Sequence, residues 1–442
     1  MILIVILLSL LILGYTFRYL LKNPVYGIYL SFFSSGILKT VNLGPLRDKF
    51  GLTEVIFLLT WLAMMLTNYW KNNRVKLNSI QKLTFVIMFT FIFIEWLSLL
   101  LNNMDFYGGL IGSIVEVTNL TYGALMALTL VVLISERPQF FMCLKFWILG
   151  ALVVSIIGCW ALTGTAPGWT MDDFTGRISS TLKFENQVPS YLIPIFIPMV
   201  MGLFVRGISS KNKIILLICS IMLAATMIGT GSRTALLLLV LAIFAIAFTG
   251  LITIKNNYLF KGKFLMGIAC LIFALFSYVI LALAAFDGHY ALGHTPSWQR
   301  PVVRLYLTLD EGAMLDSTRE EQLSIVDYNM DKAMIIGNGP KLYGRKYGME
   351  EIHNSYVGVY FESGLLGISA FLTLLVLCYS CAFSAIKYIP NNGEKILIVS
   401  VIAGFSLLLF YSGTMYGLRQ RNIWLMMGLL ISLPSLYKRA KI

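Results

Sequence analysis

His353 and Asn354 stand where a polar stretch gives way to an apolar one, in the run His353-Asn-Ser-Tyr-Val-Gly358-Val-Tyr-Phe-Glu362-Ser-Gly364-Leu-Leu-Gly367. A neutral imidazole at such a boundary can take a proton near physiological pH, as a general base does. Asn354 can orient a neighbour or a sugar hydroxyl, and Tyr356 joins it as a substrate-binding candidate. The glycines let helices or a ligand approach closely. The same run also suits a helix N-terminus with an interfacial histidine.

Arginines form the second set of candidates. Arg233, in Gly229-Thr-Gly-Ser-Arg233-Thr-Ala, sits at the end of two nearly seamless apolar spans. A charge there is expensive, and a planar guanidinium suits phosphate bidentately. Snorkelling to lipid headgroups is the plainer use. Arg177 lies in Gly176-Arg177-Ile-Ser-Ser-Thr181 and could supply a second positive charge, or be a solvated loop residue. Arg300 and Arg304 are spaced to share one helical face, where like charges repel unless an anion lies opposite. Arg319 falls in the first turn of a predicted helix, where the dipole disfavours a cation unless something anionic is near. Arg419, with Arg421, precedes the last span. Together these residues suggest a site for a polyanion such as a diphosphate.

Glu54, Glu95, Glu116 and Glu362 are carboxylates inside apolar runs. They would matter for a proton-coupled transporter, and pairing with a basic residue or a hydroxyl explains them equally. No metal-ligand cluster and no D-x-D motif is present, so the expectation is a metal-independent chemistry without cofactors.

These residues must be positioned by a membrane bundle. The 442 residues are 58% hydrophobic and 12% charged, with a mean hydropathy of +0.80. A soluble domain carries about twice that charged fraction. Apolar runs of roughly 18 residues or more match helical spans, and alternating strands would not give them. Spans are predicted near 2–21, 24–40, 52–70, 80–101, 110–135, 139–162, 188–206, 212–230, 233–253, 264–286, 355–386, 395–415 and 421–437. The fold class is therefore all-α, a polytopic transmembrane helix bundle of about 12–13 spans forming one membrane domain over 1–442. The first segment reads as a retained span and not a cleaved signal. The net charge of +13 is spread by loop, so nucleic acid is not an expected partner. Lys and Arg in alternate connections place those in the cytoplasm. The connections 102–109, 163–187, 230–233, 287–353 and 416–420 then face the other way. Lys39, Arg47 and Lys49 run against this alternation. The six cysteines all lie in apolar runs, so Cys378 and Cys381 read as packing residues.

The connection 287–353 holds all three histidines, His289, His294 and His353, and ten acidic residues against seven Lys or Arg. Trp298, Val302, Leu305, Tyr306 and Leu309 repeat at helical spacing, as do Leu323, Val326, Met330, Ala333 and Met334. Ser317 with Glu320 makes a capping box before the second set. Two amphipathic helices over the mouth of the bundle are predicted, followed by a break at Ile336-Gly-Asn-Gly-Pro340.

His353-Asn354, nine residues, Gly364, two residues and Gly367, with Gly337-Asn-Gly339 upstream, Ser-Arg-Thr-Ala at 232–235 and Gly-Arg…Thr…Asn at 176–186, resemble the O-antigen ligase and Wzy-type O-antigen polymerase superfamily. The likeness covers most of the chain from about residue 160. The stretch 181–186, Thr-Leu-Lys-Phe-Glu-Asn, departs from it by lacking the usual Gly and Pro. The resemblance implies a large periplasmic or external loop and lipid-diphosphate glycan substrates. It makes His353 the base for the acceptor hydroxyl and Arg233 the diphosphate ligand, with Arg319, or Arg300 in competition, as the loop arginine. Arg177, Arg304 and Arg419 would assist. The expected partners are an undecaprenyl-diphosphate-linked glycan, the lipid bilayer and a candidate chain-length regulator protein. The expected activity is polymerisation of repeat units in a bacterial inner membrane. The alternatives are an O-antigen ligase and, from another class, a transporter or flippase.

Overall fold

The computed structural model describes residues 2–38, 51–72, 76–102, 110–172, 175–253, 258–288, 295–310, 324, 327–328, 331, 334–342 and 352–438. Helices fall on every stretch read as a span. They are α1 (Ile2–Lys22), α2 (Val25–Ser34), α3 (Leu52–Leu66) with the short α4 (Tyr69–Asn72), α5 (Ser79–Asn102) and α6 (Leu110–Leu133). Then come α7 (Arg137–Leu162), α8 (Gln187–Gly202), α9 (Ser210–Gly229), α10 (Arg233–Thr253) and α11 (Tyr258–Ala284). After α12 (Arg300–Asp310) follow α13 (Ser355–Ile386), α14 (Asn392–Ser412) and α15 (Arg421–Lys438). Among the described residues, eight helices are long and apolar enough to cross a bilayer. The protein is an all-α polytopic bundle.

The apolar surface explains the arrangement. Phe244, Phe248 and Leu251 on α10, and Phe273, Phe276 and Leu281 on α11, are exposed. In water such a belt would be a liability; against acyl chains it is the expected exterior. Inside, α13 packs along α5, α14 along α8, and α15 along α6. α8 is buried from Val188 to Gly202 and contains Pro194 and Pro198. Pro198 has no N–H for the Pro194 carbonyl. Gly404 of α14 approaches that carbonyl so closely that a Cβ there would lie 2.4 Å from its oxygen.

Two expectations change. The span 355–386 is not one regular helix, because Gly364 takes φ +67°, ψ −162° and breaks α13. The first loop helix exists as α12, but its buried face is different. Gln299, Arg300, Val302 and Val303 are buried, whereas Leu305 and Tyr306 are 40% and 43% exposed. The reason is that α12 lies on the turn between α9 and α10, which needs its arginine side. The proposed second helix, with Ser317, Arg319 and Glu320, lies outside the described residues apart from isolated positions, as do His289 and His294.

Candidate functional site

Two polar centres occupy the end of the bundle where α9 meets α10 and where α13 begins. The first is built on the α9–α10 turn. Arg177 is held by a tight connection between α7 and α8. There the Thr170 carbonyl accepts from the amides of Ser179 (3.0 Å) and Ser180 (2.9 Å), and the Asp172 amide donates to the Arg177 carbonyl at 2.7 Å. Ser180 and Thr181 anchor that connection, their hydroxyls donating to the carbonyls of Val154 and Gly36, both at 2.6 Å. Arg177 then points at the turn, its Nε donating to the Thr230 carbonyl at 2.6 Å and its Nη1 to Glu185 Oε1 at 2.6 Å. Burial raises the Glu185 carboxyl above the ordinary range, while the Arg177 guanidinium pulls the other way.

From α12, the Arg300 Nη1 donates to the Gly176 carbonyl at 3.4 Å and the Arg304 Nη1 to the Gly231 carbonyl at 3.5 Å. Arg233, the first residue of α10, donates to the Thr308 hydroxyl. Gly231 has φ +66°, and a Cβ there would lie 3.2 Å from the Arg300 Cβ. The structure therefore gathers Arg177, Arg233, Arg300 and Arg304, from three separate segments, around the N-terminus of α10. Helix N-termini present N–H groups and a positive dipole end, a preformed setting for an anion. Guanidinium groups add charge-assisted donors in a partly buried place.

The second centre surrounds the break in α13. In an unbroken helix the carbonyls of Phe361 and Glu362 would accept from the amides of Leu365 and Leu366. Here segment 334–342 replaces those bonds. The Phe361 and Glu362 carbonyls accept from the amides of Asn338 (3.0 Å) and Gly339 (2.9 Å), and the amides of Leu365 and Leu366 donate to the carbonyls of Met334 (3.0 Å) and Ile335 (3.2 Å). Backbone this close leaves no room for a side chain, since a Cβ on Gly337 would meet the Glu362 carbonyl at 2.4 Å. Inside a membrane, irregular backbone is tolerated only when its polar groups are met internally, and this insertion meets them. Ser98 and Asn102 of α5 add donors, to the Glu362 carbonyl at 2.6 Å and the Gly337 carbonyl at 3.0 Å.

All four carboxylates singled out in the sequence gather here or beside it. Glu362 accepts from the Tyr416 hydroxyl at 2.5 Å and from the Lys341 amide at 3.2 Å. Glu95 lies 2.7 Å from the Ser363 hydroxyl. Glu116 pairs with Arg419 and, at 3.5 Å, with Lys341, and Glu54 pairs with Arg421.

Three of the residues expected to bind substrate make structural contacts. The Arg419 guanidinium pairs with Glu116 and covers the Tyr416 ring at 4.5 Å, in the carboxylate centre. Asn354 caps α13, its Oδ1 accepting from the amides of Tyr356 (2.9 Å) and Val357 (3.1 Å). The Tyr356 hydroxyl donates to the Leu409 carbonyl at 2.9 Å, inside the bundle. His353 is exposed in the bend before α13 and makes no hydrogen bond among the described residues. Its place is set by Ser355, whose hydroxyl donates to the Met415 carbonyl at 2.9 Å and accepts from the Gly417 amide at 2.7 Å. Arg319 lies outside the described residues. The seating of 334–342 in the break escaped the sequence reading; the signal for it was Gly-Asn-Gly-Pro upstream of a Glu-Ser-Gly inside an apolar span.

No protein-family model matches the chain, and no curated protein matches its sequence.

Proposed function

We propose that the protein is a glycosyltransferase that polymerises lipid-diphosphate-linked glycan repeat units in a bacterial inner membrane, its site facing the periplasm or cell exterior. The observation that carries this reading is the convergence of Arg177, Arg233, Arg300 and Arg304 on the N-terminus of α10. A diphosphate held there is stabilised as it leaves, commonly the largest single contribution to such catalysis. Exposed His353 takes the proton from the acceptor sugar hydroxyl. That oxygen attacks the anomeric carbon, the carbon–oxygen bond to the diphosphate breaks with inversion, and lipid diphosphate departs. A lipid-linked glycan acceptor suits the net-negative loop 287–353 better than a phosphorylated lipid A core, which favours a polymerase over a ligase. A chain-length regulator is a fitting partner for such a polymerase.

The test uses purified protein with lipid-linked repeat units alone. A ladder of lengthening glycans is expected, and its loss in His353→Ala with the fold kept. A ladder that survives in that variant overturns the reading; product only when a lipid A core acceptor is added makes it a ligase. A second reading, an ion-coupled transporter or flippase, is favoured by one observation, the broken α13 beside buried carboxylates, since transporters place their sites at such breaks. It expects lipid-linked glycan to cross sealed vesicles in response to membrane potential, with His353→Ala unaffected.

A further inference from the structure

We propose that Glu95 is a proton-binding site at the break in α13, and that its proton keeps segment 334–342 seated there. The inference holds under either reading of function.

Glu95 has no solvent exposure. Its Oε1 lies 2.7 Å from the Ser363 hydroxyl, which in turn lies 2.8 Å from the Val359 carbonyl. A hydroxyl owns one hydrogen, and the carbonyl can only accept. When Ser363 donates to Val359, as a helical serine does, the short contact with Glu95 needs the carboxyl to be the donor. The other oxygen, Oε2, is buried with no hydrogen-bond partner among the described residues. A bare oxygen is far better tolerated on a neutral carboxyl than on a carboxylate away from water.

Charge points the same way. The groups facing Glu95 are Glu362 from α13 and Glu116 from α6, both close enough to interact with it electrostatically. Behind them stand Tyr416 and Arg419 from the connection before α15, and Lys341 from the inserted segment. Glu54 and Arg421 form their own pair alongside. Glu362 already has two donors and Glu116 two cations, so both suit the charged form. Among the described residues, three cations, Lys341, Arg419 and Arg421, then match Glu54, Glu116 and Glu362, and Glu95 is the fourth carboxyl of the group. Protonation of Glu95 makes that described set neutral.

The consequence is mechanical. Ser363 is the residue before the break, and Glu362 holds the inserted segment through its carbonyl and its carboxylate. Loss of the Glu95 proton sets a second negative charge beside Glu362 and removes the donor to Ser363. The seating of the segment therefore depends on that proton and weakens when it is lost.

The test is infrared spectroscopy of the full-length protein in lipid nanodiscs, with hydrogen exchange of peptides covering 334–342. A protonated-carboxyl band at neutral pH is expected, lost in Glu95→Gln and lost from the wild type at alkaline pH. Identical spectra for wild type and Glu95→Gln overturn the site. Should that variant not fold, Ser363→Ala serves: the band must persist and shift, and an unmoved band overturns the site. Amide protection over 334–342, corrected for intrinsic exchange, should fall at alkaline pH in the wild type and hold in Glu95→Gln. The same fall in both overturns the coupling to the segment.

Discussion

The two polar centres use the same residue, arginine, in opposite ways. At the break in α13, Arg419 meets Glu116, which Lys341 also pairs, and Arg421 meets Glu54, both arginines with little exposure. At the α9–α10 turn, Arg177, Arg233, Arg300 and Arg304 lean mainly on backbone carbonyls and a threonine hydroxyl, with Glu185 against Arg177. A buried pair with matched charge holds helices in register and is strongly destabilising to break from one side. Guanidinium groups brought together on carbonyl oxygens offer planar donors of the kind that suit an anion. The difference separates a centre of acid–base pairs from the centre to which the proposed function assigns the diphosphate.

The sharpest way to break this division is at the inserted segment. Gly364→Ala places a Cβ 2.4 Å from the Ile335 carbonyl at a φ of +67°, a region nearly reserved for glycine. A loss of about 4 kcal/mol or more is expected, read as failure to give folded protein in thermal unfolding. Glu116→Ala should follow, at about 3–5 kcal/mol, because it leaves Arg419 and Lys341 without their shared carboxylate; an unchanged melting temperature would erase the structural role of that centre. Arg233→Ala should do the reverse. Turnover with lipid-diphosphate substrate should fall by about 10²-fold, while the melting temperature barely moves. The smallest effect is that of salt. Raising ionic strength through the Debye range of about 10 Å to 3 Å should weaken diphosphate binding at the partly exposed turn and leave the buried centre's stability unaltered, measured by titration calorimetry beside thermal unfolding.

Much of the bundle could be read along the chain. The helices coincide with the apolar runs, and the connection carrying Arg177 and the one carrying Arg233 do meet. The clustering of Glu54, Glu95, Glu116 and Glu362 could not be read, because each sits alone in its own run. The contacts of Asn354 and Tyr356 could not be read for a related reason. An asparagine before an apolar helix is as good a cap as a ligand, and a tyrosine hydroxyl goes wherever the neighbouring helix offers an acceptor, here the Leu409 carbonyl. Leu305 and Tyr306 sit on the open side of α12 because burial followed Arg300 and not the apolar stripe.

By itself the sequence determined that this chain is a membrane bundle of helices, because run length and apolar composition are local properties that a bilayer reads directly. Only the tertiary structure decided which acid Arg419 and Arg421 meet and which arginines come together at the α9–α10 turn. Arg421 and Glu54 are 367 residues apart, and nothing near either of them encodes the other. The break in α13 is of the same kind. Gly364 permits it, but the amides and carbonyls it releases are satisfied only because Met334 to Lys341 arrives from another part of the chain to take their place.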